Sequence, residues 1–222
     1  MPQPSPNLSC LLYLITPPLT QSGADAFTRC VQAVLSAAPA ASLLVRLAPG
    51  AQGEAKTIIA PLIAEAGARN CALLIENDPR LAARLGADGA HVSGAGEALE
   101  EAIESLKPER IVGAGALASR DEAMTAGDLG ADYVMFGEPR GGSPPPPDQL
   151  LERVEWWAEI FETPCVAYAD SLEAAEALAR AGADFVAVDY LIWQAPSPAD
   201  MAFRITDILA QAAKQRDIEA NR

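Results

Sequence analysis

The chain has 222 residues, half of them apolar, and a formal net charge of −14 with its one histidine neutral. That length suits one large domain, and so apolar a chain can bury a sizeable core rather than stay disordered. The acidity argues against nucleic acid or an anionic membrane surface as a partner, and no stretch approaches the ~18 uninterrupted apolar residues of a membrane span.

The opening Met1-Pro2-Gln3-Pro4-Ser5-Pro6 has no basic region and no signal-type apolar run. Short apolar runs then predict eight strands, near 11–15, 42–46, 71–75, 89–92, 111–114, 132–136, 164–168 and 184–188. Each is followed by an Ala/Glu/Leu-rich stretch that predicts a helix: 24–37, 53–66, 79–85, 97–106, 120–129, 148–161, 171–181 and 199–214. Start signals agree with this spacing. Ser119 precedes the fifth helix, Asp148 follows Pro147, and Asp170-Ser171 precedes the seventh. Three segments echo one another: Leu85-Gly86-Ala87-Asp88-Gly89-Ala90-His91-Val92, Leu129-Gly130-Ala131-Asp132-Tyr133-Val134 and Ala181-Gly182-Ala183-Asp184-Phe185-Val186. In each, Gly follows a helix end where a positive φ is needed, and a buried strand comes next. Alternating strands and helices imply a parallel sheet. Eight pairs favour a single (β/α)₈ TIM barrel, an α/β fold spanning 1–222, over an open doubly wound sheet. Residues 1–9 and 215–222 are expected as flexible tails.

The four cysteines, Cys10, Cys30, Cys71 and Cys165, form no CxxC and no zinc spacing. They suit a reduced, cytoplasmic protein. The three lysines, Lys56, Lys107 and Lys214, all fall in helices or at helix ends, which argues against a Schiff-base lysine on a strand. A single histidine rules out any metal site that needs two.

Function in such a barrel is built at the C-terminal ends of the strands, where a small-molecule ligand is expected. Arg46 ends the second strand; it is an anion clamp or the partner of an acid such as Glu76 or Asp78. Asn77 and Asp78 follow the third strand and offer oxygen ligands to Mg²⁺, or cap the helix that begins at Pro79. His91 lies on an apolar strand, as a catalytic or a structural group. The loop after the seventh strand is Ala167-Tyr168-Ala169-Asp170-Ser171, and that after the eighth is Val188-Asp189-Tyr190-Leu191. Neither contains the glycine that lets backbone N–H groups cradle a phosphate, and each places a carboxylate there instead. Asp170, Asp189 and His91 are therefore candidate acids and bases, with Tyr168, Tyr190 and Glu138 as substrate contacts on a neutral or cationic ligand. The alternative makes Asp170 a helix cap and Asp189 a paired rim residue. Arg140-Gly141-Gly142-Ser143-Pro144-Pro145-Pro146-Pro147 is either a rim lid or a plain surface connection. Trp156, Trp157 and Trp193 are core or subunit contacts, the latter consistent with a homo-oligomer.

Leu12-Tyr13-Leu14-Ile15-Thr16, Arg46, Ile75-Glu76-Asn77-Asp78, the Gly-Ala-Asp-Gly-Ala-His-Val run at 86–92, Gly130-Ala131-Asp132-Tyr133-Val134 and Gly182-Ala183-Asp184 together resemble the thiamine phosphate synthase and thiazole tautomerase family. The resemblance covers roughly residues 11–210. It implies a (β/α)₈ barrel and Mg²⁺-assisted coupling of a hydroxymethylpyrimidine diphosphate with a thiazole phosphate, pyrophosphate leaving. Cations and a metal normally carry that departing charge. Here the family's Gln-x-Arg-x-Lys becomes Leu44-Val45-Arg46-Leu47-Ala48, its second metal aspartate falls in Ser93-Gly94-Ala95-Gly96, and its serine after strand five falls on Gly115. Its Thr-x-Thr-Lys becomes Gly142-Ser143-Pro144-Pro145, its Gly-Gly becomes Ala169-Asp170, and its Ile-Ser becomes Asp189-Tyr190. Arg46, with Asn77 and Asp78 as metal positions, is what remains. The expected activity is weak, altered or absent. The competing expectations are a divergent barrel enzyme using acidic rim residues on a non-phosphorylated substrate, and a non-catalytic binder whose contact is the Pro-rich loop or an apolar surface around Trp193.

Overall fold

A computed structural model describes residues 10–138 and 145–220. Eight strands, β1 (Leu11–Ile15), β2 (Ser42–Val45), β3 (Ala72–Glu76), β4 (Gly89–Ser93), β5 (Ile111–Gly115), β6 (Tyr133–Phe136), β7 (Cys165–Tyr168) and β8 (Phe185–Val188), pair in sequence order into a closed barrel. Every pairing is parallel, including β1 with β8, where Leu12 lies opposite Val186. The helices are α1 (Ala24–Ala37), α2 (Ala55–Gly67), α3 (Pro79–Leu85), α4 (Glu97–Leu106), α5 (Arg120–Asp128), α6 (Pro147–Ile160), α7 (Leu172–Ala181), α8 (Tyr190–Trp193) and α9 (Pro198–Ala220).

The alternation of strand and helix in the sequence is thus the fold. Two expectations change. The stretch after β8 that reads as a loop contains the short helix α8, started by the Asp189 side chain. The last helix runs on to Ala220, through residues expected to be a tail. Residues 1–9 and Arg140 to Pro144 of the proline-rich loop lie outside the described residues; Pro147, where that loop ends, is the first residue of α6.

Strand residues divide by parity, as the two-residue period of a strand requires. One set packs outward against the helices, for example Leu12, Leu43, Leu73, Val112, Val134 and Val186. The other fills the barrel: Tyr13, Ile15, Leu44, Leu74, Tyr133, Met135, Val166 and Ala187. On β5 the inward positions are Ile111, Gly113 and Gly115. A side chain on Gly113 would collide with the Tyr133 ring, and one on Gly115 with His91 and Glu138. These two glycines make room for the polar column described below.

The repeated Gly-Ala-Asp segments act as clamps at the strand starts. Gly86 and Gly182 adopt left-handed conformations, φ 75° and 106°, as helix C-caps. Asp88, Asp132 and Asp184 each accept a hydrogen bond from the first or second backbone N–H of the preceding strand: from Leu73 at 2.7 Å, Val112 at 2.8 Å and Cys165 at 2.8 Å. Each aspartate also donates its own backbone N–H to the carbonyl of that same residue. The barrel is thereby stitched as the pairs β3–β4, β5–β6 and β7–β8.

Candidate functional site

Two polar groups stand inside the C-terminal half of the barrel. The first centres on Asp189 at the end of β8. Its side chain is 3% exposed and its Oδ2 lies 3.1 Å from Nη2 of Arg46. Its Oδ1 accepts the Tyr168 hydroxyl at 2.7 Å and the Tyr190 backbone N–H at 2.5 Å. Arg46 is held again by the buried Thr16: the arginine Nε donates to the Thr16 carbonyl at 2.6 Å, and the Arg46 N–H to Oγ1 at 3.0 Å. A buried carboxylate with three donors around it is fully compensated. The partner of Arg46 is therefore Asp189, from the far side of β1, and not Glu76 or Asp78. Burial pushes the Tyr168 phenol well above its ordinary range, and the bond to Asp189 pushes it further. Tyr168 is a neutral hydrogen-bond donor at any ordinary pH.

The second group centres on His91, which is fully buried. Its Nδ1 is 2.8 Å from the Tyr133 hydroxyl, which is 2.8 Å from the Tyr13 hydroxyl. Its Nε2 lies 3.3 Å from Oε2 of Glu138, whose side chain is 4% exposed. Glu138 also borders a rim pocket of about 310 Å³ with Ala116, Leu117, Gly137, Gln149 and Arg153. Arg153 is tethered there, its guanidinium donating to the Leu117 and Ala118 carbonyls. An imidazole and a carboxylate in contact beside a pocket form a candidate proton-transfer couple.

The remaining candidates stand apart. Asp170 is exposed, and the helix cap beside it is Ser171, whose Oγ accepts from Ala174 N–H. Asp170 reaches the first group only through its charge, one of the influences that raise Tyr168. The Tyr190 side chain is exposed. Asn77 has a left-handed backbone, φ 52°, and ties the end of β3 to β4 by accepting from Ser93 N–H at 2.8 Å and donating to Ser93 Oγ at 3.1 Å. Asp78 caps α3 through Leu81 N–H at 2.8 Å. Among the described residues no three His, Cys, Asp or Glu side chains gather as a metal site would need. The donors at 77–78 are one amide and one carboxylate whose Oδ1 caps α3, too few to hold Mg²⁺ without further oxygens such as those of a substrate diphosphate.

Several contributors escape a reading from sequence. Thr16 and the tyrosine pair read as ordinary strand residues, because nothing local shows which strands face each other. Trp193, partly buried, donates its indole N–H to the Ile15 carbonyl at 2.6 Å and packs on Phe27. Trp157 is core, stacked on Phe161 with its N–H on the Thr163 carbonyl. All four cysteines are free thiols. Burial pushes Cys10, Cys71 and Cys165 up to about 12, which removes them as nucleophiles.

Comparison with known proteins agrees with this framework. The family model described as thiamine monophosphate synthase matches residues 12–191. A thiamine-phosphate synthase of Rhodospirillum centenum is 40% identical over 194 residues, covering 85% of this chain and 91% of that protein. One of Hyphomonas neptunium is 37% identical over 219 residues, covering 90% and 94%. Among solved structures, thiamine phosphate pyrophosphorylase from Pyrococcus furiosus superposes with a TM-score of 0.78 at 22% identity, covering 93% of this chain and 98% of that one.

Proposed function

This chain belongs to the thiamine monophosphate synthase family, and from that premise we propose that it keeps the family's barrel while having lost most of the family's coupling activity. The observation that supports this reading most directly is the Arg46–Asp189 pair. Departure of pyrophosphate needs positive groups aimed at the developing charge. The arginine that the family pattern keeps is neutralised by a buried carboxylate standing where a phosphate loop would lie. A phosphate bound to Arg46 would share the guanidinium with the Asp189 carboxylate, and the two anions repel by roughly 1–4 kcal/mol at contact distances. The 77–78 donors include one carboxylate, fewer than the two metal aspartates that the resemblance implies. The free thiols and the acidic composition suit a cytoplasmic protein.

The test is direct. The purified chain is incubated with hydroxymethylpyrimidine diphosphate, thiazole phosphate and Mg²⁺, and thiamine phosphate is measured. Turnover at least about a thousandfold below an ordinary rate of ~10 s⁻¹ is expected. A rate on the order of 1 s⁻¹ would overturn the reading.

The His91–Glu138 contact favours a second reading: acid–base chemistry on a neutral or cationic substrate seated in the rim pocket. Glu138, which lines the pocket, would exchange the proton with the substrate, and His91, buried behind it, would orient the carboxylate. Crystals soaked separately in imidazole and in inorganic pyrophosphate distinguish the readings. Imidazole against Glu138 supports the second and its absence from that pocket defeats it; ordered pyrophosphate on Arg46 defeats the first.

A further inference from the structure

We propose that the opposite, N-terminal end of the barrel is a second binding site, one that takes a small neutral aromatic molecule carrying an O–H or N–H donor, of the size of phenol or indole. A pocket of about 200 Å³ opens there, bounded by Ser42, Ile111, Tyr133, Pro164, Val166 and Phe185 and roofed by Tyr13. It is distinct from the mouth groups in position and in chemistry. Its walls come from the first residues of β2, β5, β6 and β8, whereas Arg46 and Asp189 lie just beyond the last residues of β2 and β8.

The pocket exists because of the residues that surround it. Gly113 has no side chain, and the Tyr133 ring lies in the space one would take. Ser42 is small where a β-branched residue would fill the strand start. Protein interiors are normally packed to crystal density, so walls left facing a gap forfeit their contacts. An apolar gap of ~150 Å³ is already enough for a benzene-sized guest.

Size and charge fix the class of ligand. The volume admits one or two fused rings and excludes a nucleotide or a sugar phosphate. An anion is disfavoured because Asp132 lines the wall and already holds Lys107 at 2.5 Å. Ser42 on β2 and Asp132 before β6 put oxygen acceptors on opposite sides of the opening, and either suits a single donor on an otherwise apolar ring.

This site is also wired to the mouth. Tyr133 forms its wall and bonds His91 through the phenol oxygen, and Tyr13 in the roof bonds Tyr133. A guest that moves the Tyr133 ring therefore moves the hydrogen bond on His91 Nδ1. His91 is the one histidine of the chain, so its ring resonances are an unambiguous reporter.

The experiment titrates the full-length chain with phenol and with indole while recording the His91 ring signals by NMR and the melting temperature. A saturable shift of His91 with a rise in melting temperature is expected, weakened about tenfold or more by Val166→Phe, which fills the pocket. Ser42→Leu, at the partly exposed edge, serves if Val166→Phe does not fold. Crystals soaked in 4-bromophenol give a variant-free check: an anomalous bromine peak beside Tyr133 and Val166. The proposal is overturned by no saturable response up to the solubility limit, by a response unchanged in the filled variant, or by bromine found only elsewhere.

Discussion

Asp189 reaches across β1 to Arg46, carboxylate to guanidinium at 3.1 Å, while the strand it crosses ties down the same arginine through Thr16. Three consecutive barrel strands are thus joined at their C-terminal ends by one charged side chain. The contact has a stability role and a functional consequence, because any anion that uses Arg46 must displace or share it with Asp189.

Replacing Asp189 with asparagine separates the two. Asn keeps an oxygen for the Tyr168 hydroxyl and the Tyr190 N–H but removes the negative charge. Asp189→Asn is expected to tighten inorganic pyrophosphate binding about tenfold or more by calorimetry. It is also expected to cost about 1–3 kcal/mol in urea unfolding, since a charged hydrogen bond is lost at a buried site. Equal pyrophosphate affinity in the two proteins would show that the pair does not guard the mouth.

Gly115 is a counterpart of this exchange on the other side of the barrel. A Cβ there would lie too close to both His91 and Glu138, so any side chain at this position, such as the serine that the resemblance implies, requires the His91–Glu138 contact to shift. The glycine is a condition for that contact and more than a missing hydroxyl. Gly115→Ala is expected to cost about 1–3 kcal/mol through overpacking. Combined with Glu138→Ala it should cost less than the sum of the two single changes, because one of the two obstacles has gone and the His91 ring has room to give way. Urea unfolding of the four proteins measures this; strict additivity would mean the two positions do not touch.

The barrel was legible in the sequence because its signal is repeated eight times. Every apolar run between a helix and a turn became a strand within a residue or two, and Pro79, Ser119 and Pro147 mark helix starts that stand. The site was legible only in its parts. Arg46, Asp189, Tyr168, His91 and Glu138 can each be picked out by residue type and by place at a strand end. Which of them meet depends on register around a closed sheet: Arg46 and Asp189 are 143 positions apart, Tyr13 and Tyr133 are 120. Asp170 illustrates the converse, a carboxylate in the right loop that faces water. The Gly-Ala-Asp echo was visible as punctuation, but the aspartate's second role, clamping the neighbouring strand, needs the neighbour to be known.

That second role can be measured at Asp184. Burial holds its carboxyl above the ordinary value even though the Cys165 N–H bond works in the other direction. A raised folded value means that the protonated group's contribution to stability is present at low pH and lost as pH rises through that value. At neutral pH the clamp therefore carries a desolvation cost. Asp184→Asn, which keeps the acceptor without the charge, is expected to lose well under about 1 kcal/mol, whereas Asp184→Ala, which orphans the Cys165 N–H, loses about 1–3 kcal/mol. Unfolding curves at pH 7 decide; equal losses would show that the hydrogen bond is not what the aspartate supplies.

Tyr168 predicts the behaviour at the alkaline end. In the unfolded chain its phenol ionises near ~10, while in the fold burial and the bond to Asp189 hold the proton to higher pH. The folded state keeps a proton that the unfolded state releases, so this part of the stability is complete below pH ~10 and declines as pH rises from there toward the folded value. Tyr168→Phe cannot ionise and should lack that decline. The wild-type advantage over Tyr168→Phe, read as the difference in urea midpoints, should therefore shrink between pH 8 and pH 11. Tyr168 is one of four tyrosines, so the comparison with the phenylalanine variant is what isolates it. A gap that stays constant or widens with pH would place the Tyr168 hydroxyl in water and break the link between it and Asp189.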